Sequence, residues 1–315
     1  MTRIVEVAAA VLLRDDGDAP EFLLAQRPPG KVYAGYWEFP GGKVEAGESM
    51  RHALVRELQE ELGITVDRAW PWLCREFTYP HAKVRLKFFR VASWHGDISP
   101  IEHSGFAWQK IGAAANVAPI LPANGPILRA LELPSLYALS NAEENGVDCE
   151  LARLSAALAN GLRLIQIRDK TLPPAERLRL AAGAMAAARS YADARVLIND
   201  DEALALAVGA HGLHLSASRL AQSERRPSFA WVAASCHTAA ELARAAQLEI
   251  DFAVLGPLLP TPTHPAASGI GWAHFAGLVD CSPLPVFALG GMRQEMLESA
   301  WDHGAHGIAL MRGWH

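Results

Sequence analysis

The sequence predicts an α/β protein of two units, a mixed α/β unit over residues 1–132 and a (β/α)8 barrel over 136–315. Three observations carry this expectation. The 315 residues, half of them hydrophobic, suffice for two domains that each bury a core. Up to Leu131 the chain mixes strands with little helix, whereas from Leu136 short apolar strands and helices alternate. Between them Leu133-Pro134-Ser135 is short and lacks a flexible Gly/Ser tract, so packed rather than loosely tethered halves are expected.

In the first unit, Ile4 to Leu13 is an apolar run ended by Arg-Asp-Asp-Gly-Asp, and Glu21 to Gln26 resumes it, giving strand, turn, strand. Ser49 to Leu62 reads as a helix, because Ala53, Leu54 and Leu58 fall at helical spacing and Gly63 supplies a stop. Trp72 to Thr78 and Val84 to Trp94 are two further strands around Tyr79-Pro80-His81. A segment holding Glu102 leads to Trp108, and Pro122-Ala123-Asn124-Gly125-Pro126 opens a short helix, Ile127 to Leu131.

The second unit gives eight strands: Leu136 to Ser140, Arg163 to Arg168, Val196 to Ile198, Gly212 to Leu215, Trp231 to Ser235, Phe252 to Leu255, Val286 to Leu289 and Gly307 to Met311. Helices are expected over Asp148 to Asn160, Pro173 to Ser190, Asp201 to Val208, Thr238 to Gln247 and Arg293 to Trp301. Short, wholly apolar strands separated by helices imply a parallel sheet, and eight of them a closed barrel, with too little chain after the last for a full eighth helix.

The helix after Gly42 carries the chemistry. Glu57, Glu60 and Glu61 stand at i, i+3 and i+4, which puts three carboxylates on one face. Crowded carboxylates repel one another unless a cation sits among them, and hard oxygen ligands suit magnesium or manganese. A merely solvated acidic face explains neither the Gly41-Gly42 entry nor the offsets of Glu48 and Arg56. The run Gly42-x5-Glu48-x7-Arg56-Glu57-Leu58-x-Glu60-Glu61-x-Gly63-Ile64 resembles the signature box of the Nudix hydrolases at every fixed position. That resemblance implies an α/β/α sandwich with a mixed sheet, and a loop-helix-loop metal site that hydrolyses a diphosphate linked to another moiety. It also makes Glu48 and Arg56 a structural pair.

Trp-Glu-Phe-Pro-Gly-Gly-Lys entering the box and Pro122-Ala123-Asn124 before the last helix are similar to the MutT-type branch, the 8-oxo-dGTP diphosphatases. This likeness implies that Arg27 holds the nucleotide, Phe39 lines the base pocket and Asn124 reads the purine edge. It implies a metal set of Glu57, Glu60, Glu61, Glu102 and the Gly41 carbonyl, loaded with Mg²⁺ or Mn²⁺. Glu57 and Glu102 are both candidates for the general base. The expected reaction yields 8-oxo-dGMP and pyrophosphate, cleansing the nucleotide pool and so sparing DNA replication and repair. An Asn amide offers donor and acceptor together, so it can meet guanine's O6 and a neighbouring ring nitrogen. Taken singly, Arg27 reads as a strand-end arginine, Asn124 as a turn residue and Phe39 as core.

In the second unit Gln166-Ile-Arg168-Asp-Lys170, Asn199-Asp200, Gly212-Leu-His214-Leu, Ser235-Cys-His237, Gly256-Pro257 with Thr261-Pro-Thr263, and Gly290-Gly291 fall at strand ends. The series resembles thiamine-phosphate synthase and its TenI-like relatives. Barrel chemistry belongs at such ends, and Gly290, Gly291 and Arg312 are candidates to cradle a phosphate. The departures are specific. Where the synthases carry Gly-Gln-x-Asp, with a magnesium ligand, the chain reads Ser216-Ala217-Ser218-Arg219. His264 follows Thr263 where they carry lysine, and Met311-Arg312-Gly313 lacks their serine. Pro257 stands where the TenI-type branch places its histidine. Three readings stay open for the barrel: a synthase, a binding module regulating the hydrolase, or a packing partner.

Composition bounds the rest. With 29 basic and 34 acidic side chains the formal charge is −5, which offers no broad footprint for a nucleic-acid polymer but allows a small nucleotide. No apolar run approaches membrane-spanning length, and Met1 to Val11 reads as a strand rather than a signal peptide. Cys74, Cys149, Cys236 and Cys281 are widely spaced without a CxxC pair, as expected of reduced thiols in a cytoplasmic protein.

Overall fold

The computed structural model describes residues 4–15, 17, 19–80, 82–260 and 268–314. The chain divides into two compact units, Met1–Glu132 with Asp280–Pro283, and Leu133–Val279 with Leu284–His315. His81, Thr261, Thr263 and His264 lie outside the described residues. Among the described residues no helix is long and apolar enough to cross a membrane.

In chain order the first unit has β1 (Ile4–Asp15), β2 (Pro20–Gln26), β3 (Trp37–Glu38), β4 (Gly41–Lys43), α1 (Met50–Leu62), β5 (Thr65–Tyr79), β6 (Ala82–His95), β7 (Gly105–Lys110) and α2 (Gly125–Leu131). The strands form one mixed sheet in the order β3-β2-β1-β6-β5, with β4 on β1 and β7 on β2. β1 runs parallel to β6, from Ile4 opposite Lys83 to Leu12 opposite Val91, and antiparallel to β2 and β4.

The period of two along the central strands makes the two-sided sandwich. Ala8, Ala10 and Leu12 share a core with Leu23 and Ala25 of β2 and with Leu54, Leu58 and Leu62 of α1. Their neighbours Ala9 and Val11 turn the other way, joining Phe22, Leu24, Ile127 and Leu131. Each fully buried leucine of α1 contributes about 1.5–3 kcal/mol over an exposed one. Ser49 caps that helix, its side chain accepting from the His52 N–H at 3.2 Å, and Gly63 ends it at φ 71°.

Two expectations shift here. The third long strand begins at Thr65, not Trp72, and runs through Pro71, which pairs with Phe89 at the start of an irregular stretch on an edge strand, where proline is tolerated. β3 and β4, of two and three residues, were not expected.

The second unit continues with β8 (Leu136–Leu139), α3 (Ala142–Asn145), α4 (Val147–Ala159), β9 (Leu164–Ile167), α5 (Pro174–Ala188), β10 (Arg195–Asn199), α6 (Glu202–Val208), β11 (Gly212–Leu215), α7 (Ala217–Gln222), β12 (Trp231–Cys236), α8 (Ala239–Gln247), β13 (Phe252–Leu255), α9 (Gly271–Val279), β14 (Val286–Leu289), α10 (Leu297–Asp302) and β15 (Gly307–Leu310). The eight expected strands close into a parallel barrel, β9 meeting β10 and β15 meeting β8. Alternation again sorts the side chains. Tyr137, Leu164, Leu197, Trp231, Phe252 and Phe287 fill the interior, while Ala138, Ile165, Val196 and Val286 pack with Leu154, Leu180 and Phe275 of the helices. The strands are therefore buried on both faces, which is why they read as unbroken apolar runs. α3, α7 and α9 were not expected, and the helix expected from Arg293 begins as a 3-10 turn at Gln294–Met296.

Candidate functional site

In the first unit the end of α1 faces the Gly41-Gly42 loop. Glu57 lies directly against Gly42, so that a Cβ there would stand 2.1–2.2 Å from the Glu57 carboxyl atoms. Gly41, at φ 138°, approaches β1 so closely that a Cβ would lie 2.1 Å from the Ala8 carbonyl oxygen. Its N–H donates to Glu61 Oε2 at 2.8 Å. Two glycines and two carboxylates thus form one wall of a cleft of about 430 Å³.

Arg56 ties loop to helix. Its Nε and Nη2 donate to the two Glu48 oxygens at 3.1 and 3.0 Å, and Nη2 also reaches the Lys43 carbonyl at 3.0 Å. Nη1 donates to Glu57 at 2.9 Å and to Glu60 at 3.0 Å. The pairing of Glu48 with Arg56 is therefore bidentate, and the guanidinium holds the Glu48 carboxyl below the usual range. Glu60 is drawn away by the same arginine. Its side chain is 52 % exposed and does not line the cleft, whereas Glu57 and Glu61 are 16 % and 12 % exposed. The i, i+3, i+4 arithmetic placed all three on one face; the structure brings two of them to the cleft.

Burial raises the Glu57 carboxyl despite Arg56. It pushes Glu61 up to about 8, against the Gly41 N–H and with the charges of Glu57, Glu38 and Glu102 adding to it. The donor set suits a divalent ion, since hard oxygens dominate it and a dication would hold ionised the carboxylates that burial and repulsion now favour protonated. Among the described residues no three acidic or histidine side chains already sit at ligand distance of one another. Glu102 lines the cleft with 52 % of its side chain exposed, and Lys31 Nζ is 3.8 Å from it.

Arg27 also lines the cleft, where it donates to the Val32 carbonyl at 2.7 Å and to Glu38 at 2.5 Å. Burial raises the Glu38 carboxyl, with Arg27 opposing. Tyr33 and Tyr79 face each other with ring centroids 5.5 Å apart, and Phe77 backs Tyr79 at 4.6 Å. Phe39 is elsewhere: it sits in the core between Phe22 and Phe88, and is not part of the cleft wall. Asn124 does not line the cleft either: it is buried, three residues beyond Leu121, which does, and its Nδ2 lacks a hydrogen-bond partner among the described residues.

His103, Glu38, Tyr33 and Tyr79 were missed in the sequence. His103 Nε2 lies 3.9 Å from Glu61 and 4.0 Å from Glu38, and burial pushes the imidazole down to about 4. Its place beside Glu102 was the one available signal.

The model of the thiamine monophosphate synthase family matches residues 136–314, and that of the NUDIX domain matches residues 5–131. A thiamine-phosphate synthase of Thioalkalivibrio sulfidiphilus is 34% identical over 187 residues, which is 58% of this chain and 87% of that protein. A CTP pyrophosphohydrolase of Escherichia coli is 39% identical over 134 residues, 41% of this chain and 91% of that protein. The chain belongs to both families. A solved thiamine phosphate pyrophosphorylase from Pyrococcus furiosus, 26% identical with a TM-score of 0.49, covers 58% of this chain and 87% of its own. By the two family matches, the chain is a Nudix hydrolase domain followed by a thiamine-phosphate synthase/TenI domain. Nudix hydrolases generally use divalent metals such as Mg²⁺, and both kinds of domain bind small phosphorylated ligands.

In the synthase-like barrel a second cavity, of about 510 Å³, opens where β9 and β10 end. Arg168, Lys170, Asn199, Asp200 and Arg219 are on its wall. The barrel interior beneath holds a buried chain of hydrogen bonds. Gln166 donates to the Tyr137 hydroxyl at 3.2 Å, Tyr137 meets His214 Nδ1 at 3.1 Å, and His214 Nε2 meets Ser235 at 2.8 Å. Gly290 and Gly291 do not line this cavity. At φ 101° and 67° they lie close under the Pro257–Pro260 backbone, and the Gly290 carbonyl accepts the Leu259 N–H at 3.1 Å. Arg312 is engaged by Glu144 and likewise stands off the cavity wall.

Proposed function

We propose that the Nudix domain hydrolyses 8-oxo-dGTP to 8-oxo-dGMP and pyrophosphate in a reaction that needs Mg²⁺, Mn²⁺ also serving, and so sanitises the nucleotide pool. The observation that carries this reading is the Glu57 and Glu61 pair set against the Gly41-Gly42 backbone on the wall of one cleft. An ion bound there supplies charge neutralisation for the polyphosphate and an acidified water. Glu57, Glu61, Glu102 and the Gly41 carbonyl would hold it, and Glu60 would join by exchanging its bond to Arg56. Arg27 and Lys31 orient the phosphate tail, and the Tyr33 and Tyr79 rings offer the base a face to stack on. Glu57 and Glu102 are the two carboxylates that could take the water's proton.

For the base, Asn124 supports a purine edge. A buried donor without a partner costs about 1–3 kcal/mol, and a substrate acceptor recovers that cost. A pocket built on such a group rejects a base that leaves it unpaired. A second reading, cleavage of a pyrimidine triphosphate such as CTP, is favoured by the Escherichia coli relative. The barrel is read as degenerate or regulatory, the alternative being a synthase that makes thiamine phosphate.

The test compares kcat/KM of the purified full chain with Mg²⁺ on 8-oxo-dGTP, dGTP and CTP. Preference for 8-oxo-dGTP over dGTP by two or more orders of magnitude is expected. Cleavage of CTP with 8-oxo-dGTP left intact replaces the base assignment, and cleavage of none removes the whole reading.

A further inference from the structure

We propose that the cavity at the ends of β9 and β10 binds a small organic phosphate or diphosphate with fixed cations alone, without the magnesium ion implied by the barrel's family resemblance. This stands apart from the hydrolase reading, because every residue involved belongs to the barrel.

Charge gives the first argument. Arg168, Lys170, Arg177 and Arg219 line the cavity together with Asp169, Asp200, Asp201 and Glu202, so its fixed charges cancel. With an acidic residue in place of Arg219 the same wall would carry a charge of −2, and one magnesium ion would return it to zero. Having the Arg219 guanidinium in place of an acidic group, one charge gained and one removed, therefore makes up the two units of charge that the ion would bring.

The carboxylates give the second, because their oxygens are already in use. Asp200 accepts the Ser216 N–H at 2.7 Å and the Asn199 amide at 3.2 Å. Asp169 accepts the Glu143 N–H at 3.0 Å and the Ser140 hydroxyl. Asp201 caps α6 through the Leu204 N–H at 2.9 Å, with Arg177 3.7 Å away, and Glu202 is 3.5 Å from Arg219. These bonds oppose the rearrangement that a near-octahedral magnesium shell would demand of the carboxylates, and the Arg219 guanidinium on the same wall repels a dication.

The cations are less committed. Among the described residues Arg168 and Lys170 form no ion pair, and Arg177 Nε is buried with no hydrogen-bond partner. Their field reaches into the barrel: after burial itself, Arg168 and then Lys170 hold the His214 imidazole down, to about 3. Guanidinium groups meet phosphoryl oxygens with paired N–H donors and need no bridging ion.

The experiment is titration calorimetry of the full chain with inorganic pyrophosphate in EDTA. Saturable binding is expected, and Arg219→Asp should weaken it at least tenfold in EDTA while making it respond to added Mg²⁺. Arg219 is on the surface, its side chain 47 % exposed, so this variant should fold, and Lys170→Ala provides an independent second loss. Glu57→Gln, in the Nudix cleft, should leave the EDTA titration unchanged. Absence of binding in EDTA, binding indifferent to both cavity variants, or binding lost in Glu57→Gln would each overturn the proposal.

Discussion

Gly42→Ala should remove most of the hydrolase activity while leaving the fold almost untouched. The added methyl carbon would sit 2.1–2.2 Å from the three terminal atoms of Glu57, so the carboxylate has to retreat by more than roughly 1 Å to reach ordinary contact. A reacting group displaced that far loses about 10²-fold in rate, or about 2.7 kcal/mol of transition-state stabilisation. The fold is spared for two reasons: Gly42 is outside the left-handed region, and the crowded atoms end a flexible side chain. Gly41→Ala is the contrasting case, because its φ of 138° and the Ala8 oxygen and Ala9 Cα at 2.1 and 2.8 Å are backbone obstacles. Steady-state rates with Mg²⁺ on 8-oxo-dGTP and CTP, beside thermal melts of both variants, separate the two effects. Gly42→Ala should lose rate at nearly constant Tm, and Gly41→Ala should lose Tm by several degrees. If Gly42→Ala kept its rate within threefold, Glu57 would not be part of the reacting assembly.

Glu61→Gln should cost at least 10³-fold in kcat and Glu60→Gln far less, since Glu61 is 12 % exposed on the cleft wall while Glu60 is 52 % exposed and bound to Arg56; equal losses in rate assays would contradict this. Asn124→Leu should leave the substrate-free protein as stable or slightly more so, by up to about 1 kcal/mol, because it deletes an unpaired buried donor. In the same variant kcat/KM for 8-oxo-dGTP should fall about 10²-fold with little change for CTP, as competition kinetics would show. Acid should weaken the barrel through His214, which is neutral in the fold down to about 3 while the unfolded chain protonates near 6.5. The unfolded state then holds the extra proton between those values. Stability is complete above pH 6.5 and falls by roughly 2–3 kcal/mol on reaching pH 4.5. Urea titrations at pH 7 and 4.5 should show this loss in the wild type and a smaller one in His214→Gln.

Helix α1 was legible to within a residue, because a Ser cap, an Ala53-Leu54-Leu58 stripe and a Gly63 stop are local signals. The barrel strands were legible for another reason: both faces are buried, so each is an apolar run. β3 and β4 were not, since two or three residues carry no period, and α9 was hidden by Gly271 and Gly277 in its span. In the Nudix site the glutamates could be read from spacing, but the diversion of Glu60 depends on which way Arg56 turns. Tyr33 and Tyr79 meet only through tertiary folding, across 46 positions of sequence, so no spacing rule reaches them.

The two cavities solve the problem of a polyanionic ligand in opposite ways. In the Nudix cleft Glu57, Glu61, Glu38 and Glu102 share a wall with Arg27, Lys31 and Lys43 as its cations, and the strain shows in a Glu61 carboxyl lifted to about 8. Such a site is incomplete by its own electrostatics and gains most from a dication, which fits a water-activating reaction whose transition state gathers negative charge. In the barrel cavity the carboxylates are held by amides, a hydroxyl and neighbouring cations, so the wall is complete without an ion. A complete wall can grip phosphate but has no Lewis acid with which to draw off a pyrophosphate leaving group. The same Arg219 that permits metal-free binding therefore argues against synthase turnover, and a pyrophosphate titration that needs Mg²⁺ would revive it.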